Sequence, residues 1–362
     1  MLASVLIAFH EHRLLLAMTL GYVAAVVGVA HAIGRPEAVS LTLYSPVLIA
    51  LLGIVLLGFS LGYLIYLGLI LRTQRPFKRI VEDLNGRFDL RRRMVAAIPI
   101  LVLLPLFISA FTSMKVLIPA LNPFSWDPTF ALWDRWLHGG MDPWRLLHPL
   151  FGHPAATAAL NLLYHKWFLI VNGVLLWQTF ATRSPLIRQQ FFIAFVLSMA
   201  LLGTLTAVLT PAAGPCYYGR VTGLEDPFAP LMAYLAEGRA QGWNPAFAVQ
   251  ERLWNLYSSG DLALGGGISA MPSMHVALAV LFVLVGFAHS RVLGGLMLLF
   301  AVSISLGSVH LGWHYAIDGY LVVPAVVLIW RLSGRLAAAS SDHHHPLSGL
   351  GWRGGRTGRV RR

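Results

Sequence analysis

The sequence predicts an all-α fold: a polytopic membrane helix bundle of about eight transmembrane helices, with interfacial helices on its outer face. Three observations predict it. Of 362 residues, 57% are hydrophobic and 12% are charged, whereas a soluble domain carries about 25% charge. Eight apolar stretches are long enough to cross a hydrocarbon core of about 30 Å. Basic residues gather in alternate loops, as the positive-inside rule requires. This composition excludes a cytosolic enzyme, a disordered chain and a secreted disulfide scaffold. The single Cys216 excludes an internal disulfide and a cysteine-based zinc site.

The stretches lie near 14–33, 44–71, 94–118, 159–180, 191–210, 272–289, 292–309 and 315–332. The first carries Ala30-His31-Ala32, a small-x-small sequence resembling a signal cleavage site. Its apolar run exceeds the core of a signal peptide, so it is read as a retained helix. The last three are short and closely spaced. Segment 72–93 carries eight Lys or Arg against Glu82, Asp83 and Asp89, a net +5, and is therefore cytoplasmic. Alternating the spans from it puts both termini inside. The inside segments then sum to +14 and the outside segments to −4, with Lys115 and Lys166 inside spans. The net charge of +12 is thus a topology signal, and no nucleic-acid partner is expected. Arg outnumbers Lys by 24 to 3, a bias that points to a GC-rich bacterial genome and so to an inner membrane with a periplasmic outer face.

Two outside segments are long. Segment 119–158 holds Trp126, Trp133, Trp136 and Trp144, rings suited to the headgroup level, so interfacial helices are expected there. Segment 211–271 is rich in Gly and Pro. The expected organisation is 1–118 as N-terminal membrane helices with the basic loop, 119–332 as a catalytic membrane domain, and 333–362 as a basic cytoplasmic tail expected to be disordered.

Three polar clusters fall on the outer face: Gly214-Pro215-Cys216-Tyr217-Tyr218-Gly219-Arg220, Ser269 to His275, and His310 to Asp318. In the second, Pro272 suits the first helical position. The free N–H groups of Ser273, Met274 and His275 would then face outward as an anion site. A plain loop is the alternative. In the third, His314 and Asp318 are four apart and share a helix face, which His310 one turn earlier could join. A carboxylate on one imidazole nitrogen fixes the tautomer and makes the other nitrogen a better nucleophile or base. Interfacial histidines satisfied by water or headgroups are the alternative. His310, His314 and Asp318 could also supply three metal ligands. The sequence has no His-Glu-x-x-His pattern, and His343-His344-His345 lies on the other side, so no metal and no cofactor is expected.

Pro272-Ser273-Met274-His275 and the stretch from Gly307 to Asp318 resemble the second and third motifs of the type-2 phosphatidic acid phosphatase superfamily. Those motifs are Pro-Ser-Gly-His and Ser-Arg-x5-His-x3-Asp. The resemblance spans roughly 120–332. Met274 replaces Gly, Ser308 replaces Arg, and the first motif, Lys-x6-Arg-Pro, is absent. Gly214-Pro215-Cys216-Tyr217-Tyr218 stands about where it is expected. These departures are similar to the inositol phosphorylceramide synthase branch and, more distantly, to sphingomyelin synthases. The resemblance implies metal-independent transfer through a phosphohistidine. His314 is the nucleophile, Asp318 its support and His275 the acid and base. The substrates are a phospholipid donor and a lipid or water acceptor. Arg220, Arg252 and Lys166 are candidate replacements for the missing cations, with Lys166 snorkelling to the interface as the alternative. Tyr217, Tyr218 and Ser273 are candidate hydrogen-bond donors. A lipid-phosphate phosphatase acting on a phosphatidate- or polyprenyl-phosphate-type substrate is the second reading, and a non-catalytic transporter is the third.

Overall fold

The computed structural model describes residues 2–342. Among these residues the chain is helical, with no strand. Seven helices are long and apolar enough to cross a membrane: α2 (Arg13–Ala32), α3 (Ser45–Ile70), α5 (Leu90–Leu121), α8 (Pro154–Phe180), α9 (Pro185–Leu209), α14 (Arg291–His310) and α15 (Ala316–Asp342). The eighth expected span is α13 (Met274–His289), an apolar helix of 16 residues. At 1.5 Å per residue it covers about 24 Å, less than a full hydrocarbon core. Its shortness follows from a hairpin with α14. Ser290 ends one helix and caps the next, its Oγ accepting from the Leu293 N–H at 3.1 Å. Gly286 and Gly294 let the two backbones approach, since a Cβ on Gly286 would lie 3.1 Å from the Gly294 backbone.

The shorter helices lie between the spans. They are α1 (Leu2–Glu11), α4 (Pro76–Asn85), α6 (Asp127–Leu137), α7 (Pro143–Phe151), α10 (Tyr218–Thr222), α11 (Ala229–Ala240) and α12 (Ala246–Ser259). Helices α6 and α7 occupy the tryptophan-rich segment. Helices α10, α11 and α12 give structure to a segment whose glycines and prolines read as loop. Helix α4 turns part of the basic 72–93 segment into an amphipathic helix, with Arg79 bonded to Asp83 at 3.0 Å on one side and Phe77 exposed on the other. Helix α15 continues to Asp342, into the stretch read as a tail. The rest of that tail, with His343-His344-His345, lies outside the described residues.

The main core joins α5, α8, α9, α13 and α15, with Phe107, Phe191, Phe192, Phe195 and Phe282 almost fully buried. Within α9 the backbone widens to a π-helix over Ser198–Thr206, a distortion common at functional sites. There Gly203 sits against Phe111 and Met274, where a Cβ would come within 2.7 Å of the Phe111 ring. The bulge therefore seats the first residue of α13. By contrast α3 buries no side chain along Ser45–Ile65 and presents its apolar surface to lipid.

Candidate active site

The three polar clusters meet at one end of the bundle, and Gly214 is where they touch. Its φ is 102°, and a Cβ there would lie 2.7 Å from the Trp313 carbonyl and 3.0 Å from the Ala270 Cβ. Two backbone bonds tie the segments together: Ala270 N–H donates to Ala212 O at 2.8 Å, and Cys216 N–H to Gly312 O at 2.9 Å.

Helix α6 holds this junction from outside. Asp127 and Asp134, seven apart and so on one helix face, are both buried. Asp127 accepts from the Ala213 and Gly214 N–H groups at 2.9 and 2.8 Å, and from the Tyr315 hydroxyl at 2.8 Å. Asp134 accepts from the Ala316 and Ile317 N–H groups at 2.7 and 2.8 Å. It thereby caps the open first turn of α15, where negative charge is favoured. Burial raises both carboxyls above the ordinary carboxylate value, and the hydrogen bonds oppose that shift. Neither aspartate stood out in the sequence, because acidic residues on an interfacial helix look like solvated ones.

His314 lies in the turn between α14 and α15, 7% exposed, and Asp318 in the first turn of α15 is fully buried. The imidazole Nδ1 is 2.7 Å from the Ala270 carbonyl and 3.2 Å from Asp318 Oδ2. A carbonyl can only accept, so Nδ1 carries the proton and Nε2 keeps its lone pair. The carboxylate expected from the sequence is present, but the Ala270 carbonyl is the nearer partner. Burial holds the His314 pKa down to about 4, Lys115 pushes the same way, and the Ala270 bond opposes both. The ring is therefore neutral at pH 7. A histidine of this kind acting as nucleophile should give kcat/KM an acid limb below about pH 5. A pH–rate profile from 4 to 8 with its acid limb at the ordinary histidine value near 6.5 would contradict this assignment.

His275 is in the first turn of α13, its ring centroid 6.1 Å from that of His314. Tyr164 stacks on it at 4.6 Å and 20°, and Trp167 lies 4.3 Å away and donates its indole N–H to the His275 carbonyl at 3.0 Å. The Tyr164 hydroxyl is buried beside this ring without a hydrogen-bond partner among the described residues. Tyr164 was not foreseen as a site residue, since an aromatic on an apolar span reads as packing.

Several expected contributors lie elsewhere. Pro272 precedes the helix and does not begin it; α13 starts at Met274, and Ser273 is its N-cap, buried, with Oγ accepting from Val276 N–H at 3.4 Å. Ser273 thus shapes the helix start, and the open amides there are those of Met274 and His275. His310 does not share a face with His314. The helix ends at His310 and the chain turns through Gly312 at φ 72°. This turn sends the His310 Nε2 to Thr157 Oγ1 at 2.8 Å, in a separate cluster with Tyr234 and His148. The three-ligand arrangement of His310, His314 and Asp318 is thereby broken. Tyr217 donates its hydroxyl to the Gln250 carbonyl at 2.9 Å, and Tyr218 packs edge-on against Phe228. Arg220 pairs with Glu251 at 2.6 Å over the Trp254 ring. Arg252 and Lys166 are exposed.

The cation that does approach is Lys115, on α5. Its backbone packs against Gly267, in the loop that leads to the His275 helix, where a Cβ would lie 2.7 Å from the Lys115 Cβ. A sequence signal existed: Lys115 precedes Asn122-Pro123 with six residues between, the spacing of Lys-x6-Arg-Pro with Asn in place of Arg. Asn122 itself turns away, donating to the Val208 carbonyl at 2.9 Å.

The family model of the PAP2 superfamily matches residues 128–332, from α6 into α15. The chain belongs to the PAP2 superfamily. It is accordingly a membrane enzyme of the class that hydrolyses or transfers lipid phosphates. No curated protein and no solved structure matches it. The PAP2 match includes His275, His314 and Asp318, and leaves Lys115 and helices α1 to α5 outside.

Proposed function

We propose that the protein is a metal-independent membrane phosphotransferase of the inositol phosphorylceramide synthase-like branch, moving a phospho-headgroup, phosphoinositol among the candidates, from a phospholipid donor to a lipid acceptor. The observation that carries this reading is the His314 ring. Its Nδ1–H is fixed by Ala270 and Asp318, and its Nε2 is left free on a site it shares with His275.

In the first step His314 Nε2 attacks phosphorus. The N–P bond forms, the P–O bond to the donor lipid breaks, and His275 delivers a proton to the leaving oxygen. Asp318 and the Ala270 carbonyl stabilise the imidazole as it gains positive charge. In the second step His275 takes the proton of the acceptor hydroxyl, whose oxygen attacks phosphorus and releases His314. Lys115, the Met274 and His275 amides at the start of α13, and the Tyr164 hydroxyl supply the donors that the developing charge requires. The loop charges support an active site on the periplasmic face of a bacterial inner membrane, with both termini cytoplasmic.

The choice between transfer and hydrolysis is tested in vesicles containing a phospholipid labelled in its headgroup phosphate. With ceramide or diacylglycerol present, label should move to that acceptor, and chelators should not slow it. Free phosphate released from a lipid monophosphate at a rate independent of acceptor would overturn the transferase reading in favour of a phosphatase.

A further inference from the structure

Below the catalytic site, helices α3, α5 and α8 line an open apolar groove, with Leu48, Leu51, Leu104, Ile108 and Leu175 among its walls. Two independent alignments connect it to the site above. On α5 the lining residues Leu101, Leu104 and Ile108 continue at helical spacing through Thr112 to Lys115, on one face. On α8 the lining residues Asn172, Leu175 and Thr179 continue upward to Phe168 and Tyr164, which touch His275.

The two helices run in opposite directions, so these stripes descend together. From Lys115 to Ile108 is seven residues, as is the step from His165 to Asn172. Each step drops about 10 Å. The third wall is α3, through Leu48 and Leu51. Its upper end is pinned by Tyr44, whose hydroxyl accepts from Gly265 N–H at 3.0 Å and from Thr112 Oγ1 at 3.3 Å. Gly265 belongs to the loop that leads into the His275 helix. The opening between α5 and α8 faces lipid: Phe168, edge-on to His275, is 54% exposed.

From this we infer that the groove between α3, α5 and α8 binds the hydrocarbon chain of the lipid whose phosphate is held by Lys115 and the two histidines. The polarity is that of such a lipid: cation and imidazoles at the upper end, aliphatic side chains for the next 10 Å or so. The occupant is a single long acyl or isoprenoid chain, because the surrounding solvent is itself hydrocarbon and only a tethered chain is held in place. Helices α3 and α5 precede the PAP2 match, and α8 lies within it, so two of the three walls that would select chain length come from the N-terminal helices. The inference rests on the phosphotransferase reading only for the identity of the phosphate-bearing end.

The experiment uses a lipid monophosphate with a photoactivatable group near the end of its chain, in vesicles, with labelled peptides mapped by mass spectrometry. Label is expected on groove residues of α3, α5 and α8, competed by unlabelled long-chain lipid phosphate, in the wild type and in His314→Ala alike. Leu48→Trp and Leu51→Trp, which fill the groove, should raise the ratio of short-chain to long-chain kcat/KM at least about tenfold. Uncompeted label spread over other helices, or Trp variants that slow both substrates equally, would overturn the groove. Labelling of the wild type decides the matter even if the Trp variants fail to fold. If His314→Ala keeps its turnover while the groove is labelled, the catalytic reading fails and the groove stands.

Discussion

Replacing His314 with alanine is expected to abolish lipid turnover, lowering kcat/KM by at least about 10⁴-fold, the scale seen when a catalytic nucleophile is removed. Aspartate 318 does not touch phosphorus, so Asp318→Asn should be milder, about 10²- to 10⁴-fold, through loss of support for the imidazolium. The Ala270 carbonyl still holds the tautomer in that variant. His275→Ala separates the roles further. A general acid is needed most when the leaving oxygen is strongly basic, so a substrate with an acidic phenol as leaving group should recover most of the first-step rate in His275→Ala. It should recover none in His314→Ala. Single-turnover measurements with a lipid phosphate and an aryl phosphate check both. Equal rescue of the two variants would remove the distinction between acid and nucleophile.

The second large effect is expected far from the reacting atoms. Asp127→Ala leaves three donors, the Ala213 and Gly214 N–H groups and the Tyr315 hydroxyl, without their acceptor. A buried donor left unsatisfied costs about 1–3 kcal/mol. The variant should therefore lose about 3 kcal/mol or more of stability. It should also lose kcat, because Gly214 and Tyr315 adjoin His314. Asp127→Asn can accept at one oxygen only and should fall between the two. Asp134→Ala uncaps α15, a loss of about 0.5–2 kcal/mol, and loosens the turn that carries Asp318. Thermal unfolding in detergent, paired with kcat and KM on the same samples, checks this. An Asp127→Ala protein that unfolds and turns over like the wild type would show that the α6 clamp has no role.

Much of the fold was legible because a bilayer imposes it. Each of the eight apolar stretches corresponds to a helix, since backbone polar groups in lipid must be paired within the segment. Helices α6 and α7 fall in the segment where tryptophan predicted short helices. Helices α4, α10, α11 and α12 were not, because outside the hydrocarbon no single hydropathy rule applies and glycine and proline occur in helix connections as well as in long loops. Within the site, His275, His314 and Asp318 were conspicuous because ionisable groups are rare in such a chain. His310 was misplaced for a local reason: a shared helix face assumes an unbroken helix, and Gly312 breaks it.

The sequence by itself determined the class of molecule and the place of its eight apolar helices, seven of them long enough to span, and it singled out His275, His314 and Asp318 as candidates for chemistry. These follow from the cost of placing charge in hydrocarbon, which acts residue by residue. The tertiary structure alone decided which cation packs against the loop leading to His275, which atom fixes the His314 tautomer, and what holds the junction together. Lys115, the Ala270 carbonyl and Asp127 come from segments that are distant in sequence. Their proximity is a property of packing, which no local pattern encodes.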